Sequence, residues 1–350
     1  MSFKNGLIDF RSDTVTHPTP EMWAAMAAAE LGDDVFGDDP TVNRLQELAA
    51  GLTGHEAALF TASGTMGNLV ALLTHGRRAA EVIVGDRSHI YLNEVGGMAA
   101  LGGMQACPLP NRPDGTLDLD DITRSIRAED VHHPRTVLVC LENTQNQCGA
   151  VALTCDYTER AAALAHGNGL KLHLDGARLF NAAVALGVPA SDLAGPCDSV
   201  MFCLSKGLCA PVGSLLCGSK DFMAEARRYR KQVGGGMRQA GILAAAGIVA
   251  LEHMVDRLAD DHLLARRLAD QLREIPSLVL DSETAATNMV YFHLRPGARL
   301  TPDQLQKALA RRGVLTGYDE LGHFRLVTHY WISGGDVDKA VGLMREVLAA

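Results

Sequence analysis

Residues 199–218 read SVMFCLSKGLCAPVGSLLCG, two short apolar runs with one charged residue, Lys206, between them. Each run has the length and composition of a buried strand. Lysine rarely enters such surroundings, because removing water from an ammonium group costs several kcal/mol. Lys206 follows the first run and precedes a glycine, where a strand ends and the backbone turns freely. Two interpretations are open: a side chain that reaches solvent, or a reactive amine that attacks a carbonyl to form a Schiff base.

On the N-terminal side of this stretch, short apolar runs alternate with segments of helical period such as residues 157–166 and 179–186. This alternation predicts an α/β fold with a mostly parallel sheet covered by helices. Ligands of such sheets bind beyond the carboxyl ends of the strands. The predicted strands are HEAALFTA (55–62), EVIVGD (81–86), TVLVCLEN (136–143), LKLHLD (170–175), SVMFCL (199–204) and GSLLCG (213–218).

The C-terminal part of the chain predicts a second, smaller α+β domain. A long helical tract follows GGGMRQ (234–239), and we expect it to bridge the two domains. We therefore predict a large domain at 1–245, including an N-terminal arm, and a small domain at 246–350. The small domain's further predicted elements are a strand at 287–294, a helix at 301–313 with Thr301 as its N-cap, a strand at 323–329 and a closing helix from about Asp336.

Composition limits the classes of ligand. The chain has 350 residues, 47% of them hydrophobic and 21% charged, which is typical of a soluble globular protein. Its net charge of −9, without a Lys/Arg block, disfavours binding to nucleic acid or an anionic membrane and favours a small-molecule ligand. No signal peptide or membrane-length apolar run is evident, and the eight cysteines contain no CxxC pair. We therefore expect a cytoplasmic protein with reduced thiols.

Two further stretches could bind a cofactor with Lys206. Asp175 ends an apolar strand in LHLDGARLFNA, where it could pair with the pyridine nitrogen of pyridoxal phosphate or simply cap a helix. TASGTMGN (61–68) places Ser63, Gly64 and Thr65 at a helix start after another strand. Backbone N–H groups and hydroxyls there can bind phosphate, although many turns share this composition.

Several other polar residues follow predicted strands or glycines. His89 could lie on a cofactor ring or act as a base, or be an ordinary surface or core histidine. The spacing His173-x-Asp175 lacks a third ligand, so we assign no metal site. Three arginines could each clamp a carboxylate or form an interdomain ion pair: Arg178, Arg238 and Arg325.

Together these stretches resemble the low-specificity L-threonine aldolases, pyridoxal-phosphate enzymes of the aspartate-aminotransferase-like fold (fold type I). The resemblance runs nearly end to end. Its motifs are FRSDTVTHPTPEM, GDDVFGDDPTVNRLQ, ASGTMGNLVALL, HLDGARLFNA, CLSKGLCAPVGSLL, GGGMRQAGILAAAG and FRLVTH.

The resemblance implies a lyase that cleaves L-threonine and related L-β-hydroxy-α-amino acids reversibly into glycine and an aldehyde. It implies a homotetramer with active sites at dimer interfaces. It also implies residue roles at the cofactor: Lys206 as the Schiff-base lysine, Asp175 as partner of the ring nitrogen, His89 stacked on the ring, and Gly64, Thr65 and Ser205 on the phosphate, with Arg238 from a neighbouring subunit. Ser12, Arg178 and Arg325 would bind the substrate carboxylate, and Arg178 would also contact the cofactor.

Two positions depart from the family pattern. Gln145 stands in LENTQN where a histidine is typical, and Phe36 stands in GDDVFG where a tyrosine is common. A Gln145 amide can hydrogen-bond a substrate's β-hydroxyl but cannot accept its proton. The base is then His89, a water held near Lys231, or another group at the cofactor. A β-eliminating lyase or an amino-acid racemase on the same fold is the alternative function, because the same cofactor serves both.

Overall fold

The computed structural model describes residues 6–349, in which strands alternate with helices as far as residue 218. The strands are β1 (Ile8–Asp9), β2 (Ala57–Thr61), β3 (Ala80–Gly85), β4 (Gln105–Leu109), β5 (Arg135–Glu142), β6 (Lys171–Asp175), β7 (Ser199–Cys203), β8 (Ser214–Gly218), β9 (Leu278–Leu280), β10 (Met289–Leu294), β11 (Val314–Leu315), β12 (Gly317–Tyr318) and β13 (Phe324–Val327).

The helices confirm the N-cap expected at Thr301, whose side chain forms a reciprocal capping box with that of Gln304. The helices are α1 (Pro20–Ala27), α2 (Pro40–Thr53), α3 (Gly64–His75), α4 (His89–Leu92), α5 (Gly97–Ala100), α6 (Leu119–Ser125), α7 (Cys155–Gly167), α8 (Leu179–Leu186), α9 (Ala190–Ala194), α10 (Lys220–Gln232), α11 (Gly241–His253), α12 (Leu258–Arg273), α13 (Pro302–Ala310) and α14 (Gly334–Ala349).

The chain divides into two units, residues 18–255 and residues 256–350 together with the segment up to His17. This division differs from the predicted boundary at residue 245, which falls inside α11. The predicted bridging tract is two helices, because α11 is apolar on all sides and buried whereas α12 is amphipathic. They separate at residues 254–257, and each helix belongs to a different unit.

The large unit contains a seven-stranded sheet in the order β2-β8-β7-β6-β5-β3-β4. Neighbouring strands from β7 through β4 are parallel, and β8 runs antiparallel to both β7 and β2. The prediction of a mostly parallel sheet is therefore confirmed. The strand β4 was not predicted because it contains Pro108, which cannot donate to a strand ladder. It lies at the edge of the sheet, where a missing donor is tolerated.

The small unit has a four-stranded antiparallel sheet, β12-β13-β10-β9, whose core side is covered by apolar residues of α12, α13 and α14. The N-terminal segment belongs to this unit, not to the large one as expected, because β1 pairs in parallel with β11. The backbone N–H of Val327 also donates to the carbonyl of Phe10 at 2.9 Å. Within residues 6–349, every helix is too short or too polar to span a bilayer.

Candidate active site

Two carboxylates meet at the carboxyl edge of the large sheet. Asp175 and Glu142 are the last residues of the neighbouring strands β6 and β5, and they are paired in the strand register. Both are buried. The next strand, β7, ends at Cys203, and Lys206 follows it by three residues. The rule that ligand groups follow strand ends therefore placed Lys206 and Asp175 correctly at this edge.

Asp175 is fixed by two donors. One carboxylate oxygen, Oδ1, accepts from the backbone N–H of Ala177 at 3.1 Å, and Oδ2 accepts from Asn68 Nδ2 at 2.9 Å. Asn68 lies on α3, is fully buried, and also donates to Glu94 Oε1 at 2.9 Å. One amide thus orients two carboxylates. Sequence reasoning missed Asn68 because a single polar residue on an apolar helix carries no specific signal.

A chain of neutral imidazoles supports Asn68. Its Oδ1 lies 3.1 Å from Nε2 of His173, whose Nδ1 lies 2.8 Å from Ser199 Oγ, and His75 Nε2 lies 2.7 Å from the same hydroxyl. Burial lowers the pKa of His173 to about 3 and that of His75 to about 4, so both rings are neutral near pH 7. Because Asn68 donates with its nitrogen, its oxygen accepts, and the hydrogen of His173 is on Nε2. His173 therefore supports Asn68 instead of binding a metal with Asp175.

His89 begins α4 beside these carboxylates. Its Nδ1 lies 2.9 Å from Glu94 Oε1, and its backbone N–H donates to Glu142 Oε2 at 2.6 Å. The bond to Glu94 raises the pKa of His89, an effect that the charge of Asp175 reinforces and burial opposes. One ring nitrogen of His89 and one carboxylate oxygen each of Glu94 and Asp175 all lie within 4.8 Å of one another. The structure therefore places His89 beside Asp175.

Two carboxyl groups at this edge, Glu94 and Glu142, have raised pKa values. Burial raises the pKa of Glu94 more than its bond to His89 lowers it. Burial, followed by the charge of Asp175, raises the pKa of Glu142 to about 7. Such an edge favours a bound group that carries a proton or positive charge.

Lys206 lies in a tight turn after β7. Its carbonyl accepts from the N–H of Cys209, a buried residue with a positive φ of 66°. The charge of Lys206 opposes the rise in the pKa of His89, so it lies close enough to act on that imidazole. Lys206 is half-buried, which both interpretations of its surroundings allow.

The N-terminus of α3 packs against the end of β7. A Cβ added to Gly64 would lie 2.8 Å from Cys203 Sγ, so only glycine allows this approach. Ser63 caps the helix by accepting from the N–H of Met66 at 3.2 Å, and Ser63 and Thr65 are exposed. The first N–H groups of a helix lack partners within it, so this end can receive an anion. Ser205, next to Lys206, is partly exposed.

The predicted carboxylate-binding residues fall in both units. In the large unit, Arg178 precedes α8 and is nearly buried. In the small unit, Arg325 on β13 donates from Nη2 to the carbonyl of Arg11 at 3.3 Å. That carbonyl precedes Ser12, so the structure brings Arg325 and Ser12 together within their own unit.

Two other predicted residues are exposed in the large unit. Arg238 Nη1 lies 2.7 Å from Asp33 Oδ2, and its guanidinium carbon is 6.0 Å from the ring centre of Phe36. Within its own chain Arg238 is therefore paired with Asp33. Lys231 lies near the end of α10, against Gly236.

Gln145 is fully buried, contrary to the expectation that it contacts substrate. Its Nε2 donates to the carbonyl of Arg87 at 2.8 Å, and its Oε1 accepts from the N–H of Cys148 at 2.8 Å. Both ends of the amide are therefore used to join two loops. The departure from histidine at this position has a structural role here.

Known proteins resemble this chain over nearly its whole length. The profile of the beta-eliminating lyase family matches residues 9–295. The low specificity L-threonine aldolase of Escherichia coli strain K12 is 47% identical over 343 residues, covering 98% of this chain and 100% of that protein. The probable low-specificity L-threonine aldolase 2 of Arabidopsis thaliana is 46% identical over 343 residues, 97% of each chain. The solved structure of Leishmania major threonine aldolase, 23% identical, gives a TM-score of 0.83 over 97% of this chain and 99% of that chain. This similarity confirms the predicted fold class.

Proposed function

Because the chain belongs to the low-specificity L-threonine aldolases, within the beta-eliminating lyase family, we propose that it cleaves L-threonine reversibly into glycine and acetaldehyde. Related L-β-hydroxy-α-amino acids are substrates by the same chemistry, and pyridoxal 5′-phosphate is the cofactor. The observation that carries the proposal is the placement of Lys206, Asp175 and His89 around one sheet edge, in a chain 47% identical to an enzyme of that name.

The residues at this edge fit the cofactor. Gly64 lets the helix end pack closely against Cys203, and the helix N-terminus suits a phosphate. The carboxylate of Asp175, held by Asn68 and Ala177, suits a protonated ring nitrogen. When bound, pyridoxal phosphate would stabilise the electron pair left on the substrate's α carbon.

Each residue then has a defined task. Lys206 would supply the amine for the cofactor's aldehyde, and Asp175 would favour a protonated ring nitrogen. Gly64, Thr65 and Ser205 would hold the phosphate. Arg178 in the large unit, and Arg325 with Ser12 in the small unit, are each proposed to bind the substrate carboxylate, because guanidinium groups bind carboxylates with two parallel hydrogen bonds.

We assign His89 as the base that accepts the proton of the substrate's β-hydroxyl group. Its Nδ1 is used by Glu94, so Nε2 is the nitrogen that can accept a proton. The raised pKa makes the neutral ring a stronger base than an ordinary histidine. Gln145 cannot serve, since its amide does not titrate and is bound to Arg87 and Cys148.

The assembly we propose is a homotetramer with active sites at dimer interfaces. Large apolar side chains exposed on the large unit support it, among them Trp23, Phe36 and Val95. Arg238 would then reach the phosphate of a neighbouring subunit. Light scattering gives the mass directly, and mixing Lys206→Ala with Arg238→Ala chains would restore activity only if the two residues serve one site from different subunits. The eight free thiols support a reducing, cytoplasmic location.

A β-elimination is the alternative, favoured by the family profile's description. It would remove the β-hydroxyl as water and give a 2-oxo acid and ammonia instead of glycine and an aldehyde. The test is to incubate the cofactor-loaded protein with L-threonine, L-allo-threonine and phenylserine and to quantify both product pairs, with Lys206→Ala as control. Glycine and aldehyde in equal amounts are expected. A 2-oxo acid without glycine would overturn the proposal.

A further inference from the structure

Three side chains of the small unit meet on the outer face of its sheet. Asp281 directly follows β9, His293 lies in β10, and His323 directly precedes β13. Successive strand residues point to opposite faces, and Phe292 and Phe324 are buried in the core. The two histidines are therefore on the face away from the core, where an ion can enter.

The side chains already converge. Asp281 Oδ1 lies 2.8 Å from His293 Nδ1, and Oδ2 lies 2.7 Å from His323 Nδ1. The two rings have centroids 4.8 Å apart, and one ligand atom from each of the three residues lies within 4.8 Å of the others. Each side chain keeps about a third of its surface exposed, at 27%, 33% and 38% for Asp281, His293 and His323.

The backbone holds these positions without a ligand. The N–H of Asp281 donates to Tyr291 on β10, and the N–H of His323 donates to Asp319 Oδ1 at 2.9 Å. His293 is fixed in the strand register opposite Val279. The geometry is therefore preorganised by the sheet, and binding would not have to order a loop.

We propose that Asp281, His293 and His323 bind one divalent transition-metal ion, with water completing the coordination. Two imidazole nitrogens and one carboxylate oxygen suit Zn²⁺ or Ni²⁺, whereas Mg²⁺ and Ca²⁺ prefer all-oxygen sites. The ion would replace the hydrogens now shared between the rings and the carboxylate, at ligand distances of about 2.0–2.2 Å. Because the ion competes with these protons, binding weakens in acid.

This site is independent of the proposed aldolase activity. The sequence has no local motif for this metal site, because Asp281 and His323 are separated by 42 positions. None of its residues is assigned to cofactor or substrate.

The test titrates the cofactor-loaded protein with Ni²⁺ in a calorimeter and by equilibrium dialysis, comparing wild type with His293→Ala/His323→Ala. The matched control is His132→Ala/His133→Ala, which removes two exposed histidines, one of them paired with Asp130. Taking the difference between variants cancels any nickel bound by cysteines or by the carboxylates near Asp175.

The proposal predicts that the 293/323 variant loses one bound Ni²⁺ per chain, while the control keeps it. Asp281→Asn should weaken that site at least tenfold, and Ni²⁺ should raise the melting temperature of wild type more than that of the 293/323 variant. His293→Gln and His323→Gln serve as milder variants should the double alanine fail to fold. Equal stoichiometry and affinity in wild type and the ligand variants would overturn the proposal.

Discussion

Replacing Asn68 with leucine tests whether this one amide organises the candidate active site. The substitution keeps the size of a fully buried side chain and removes three hydrogen bonds, to Asp175, Glu94 and His173. Bonds to charged groups contribute about 1.5–3 kcal/mol each, against about 1 kcal/mol for a neutral one. Water entry and the burial of leucine offset part of this, so the free energy of unfolding should fall by about 3–5 kcal/mol.

The same change should weaken cofactor binding. Asp175 would keep the donor at Ala177 but lose the one that fixes its second oxygen. The looser orientation of this carboxylate should reduce the binding free energy of pyridoxal phosphate by about 1.4 kcal/mol, which corresponds to a tenfold weaker affinity. Urea unfolding followed by circular dichroism measures the first effect, and titration of the apoprotein with the cofactor, followed by absorbance, measures the second.

Asn43→Leu is the matched control. The Asn43 side chain donates from Nδ2 to the carbonyl of Gly37 at 2.8 Å, a neutral contact, so about 1 kcal/mol of stability should be lost with no change in cofactor affinity. The assigned role of Asn68 is refuted if the free energies of unfolding of Asn68→Leu and Asn43→Leu differ by less than about 1 kcal/mol and Asn68→Leu binds the cofactor as wild type does.

Four further substitutions probe charges and loops of the large unit. Glu94→Gln removes the carboxylate that raises the pKa of His89, so the acidic limb of the kcat/KM profile for L-threonine should move to lower pH; an unmoved limb would mean that His89 is not the base. Asp34→Ala leaves the buried Arg230 guanidinium without its carboxylate at 2.6 Å and should lower the free energy of unfolding in urea by about 3–5 kcal/mol. Asp33→Ala removes the partner of the exposed Arg238 and an acceptor for the N–H of Val35, and it should cost much less. Gln145→Ala should lower the free energy of unfolding by about 1–3 kcal/mol, because it breaks the contacts to Arg87 and Cys148. It should leave the ratio of the threonine and allo-threonine rates unchanged. A shifted ratio would place this side chain against the substrate.

The spacing of apolar residues and the positions of strand ends were enough to predict most strands of the large unit's sheet. Every predicted strand between 55 and 218 is present, because strands buried on both faces have continuous apolar runs. Lys206 and Asp175 were found because each directly follows or ends such a run. Glu142 satisfies the same rule at the end of β5, so the sequence contained a signal for it as well.

Other features depend on contacts that no local pattern contains. Asn68 acquires its role from residues 26 and 107 positions away. The break between α11 and α12 has no proline or glycine to mark it, so two helices looked like one. Gln145 was expected to face substrate from its position in a motif, but its contacts to Arg87 and Cys148 are set by how two loops pack.

The central claim is that Lys206 binds pyridoxal phosphate at the edge formed by Asp175 and His89. The most direct test is the absorbance spectrum of the purified protein, recorded alone and after glycine, L-threonine or D-threonine, followed by borohydride reduction and peptide mapping. We expect a band near the visible edge that glycine and the L isomer change and the D isomer does not, with the reduced cofactor attached to Lys206 and absent from Lys206→Ala. A protein that stays colourless after incubation with pyridoxal phosphate, or a label on another lysine, would contradict the account.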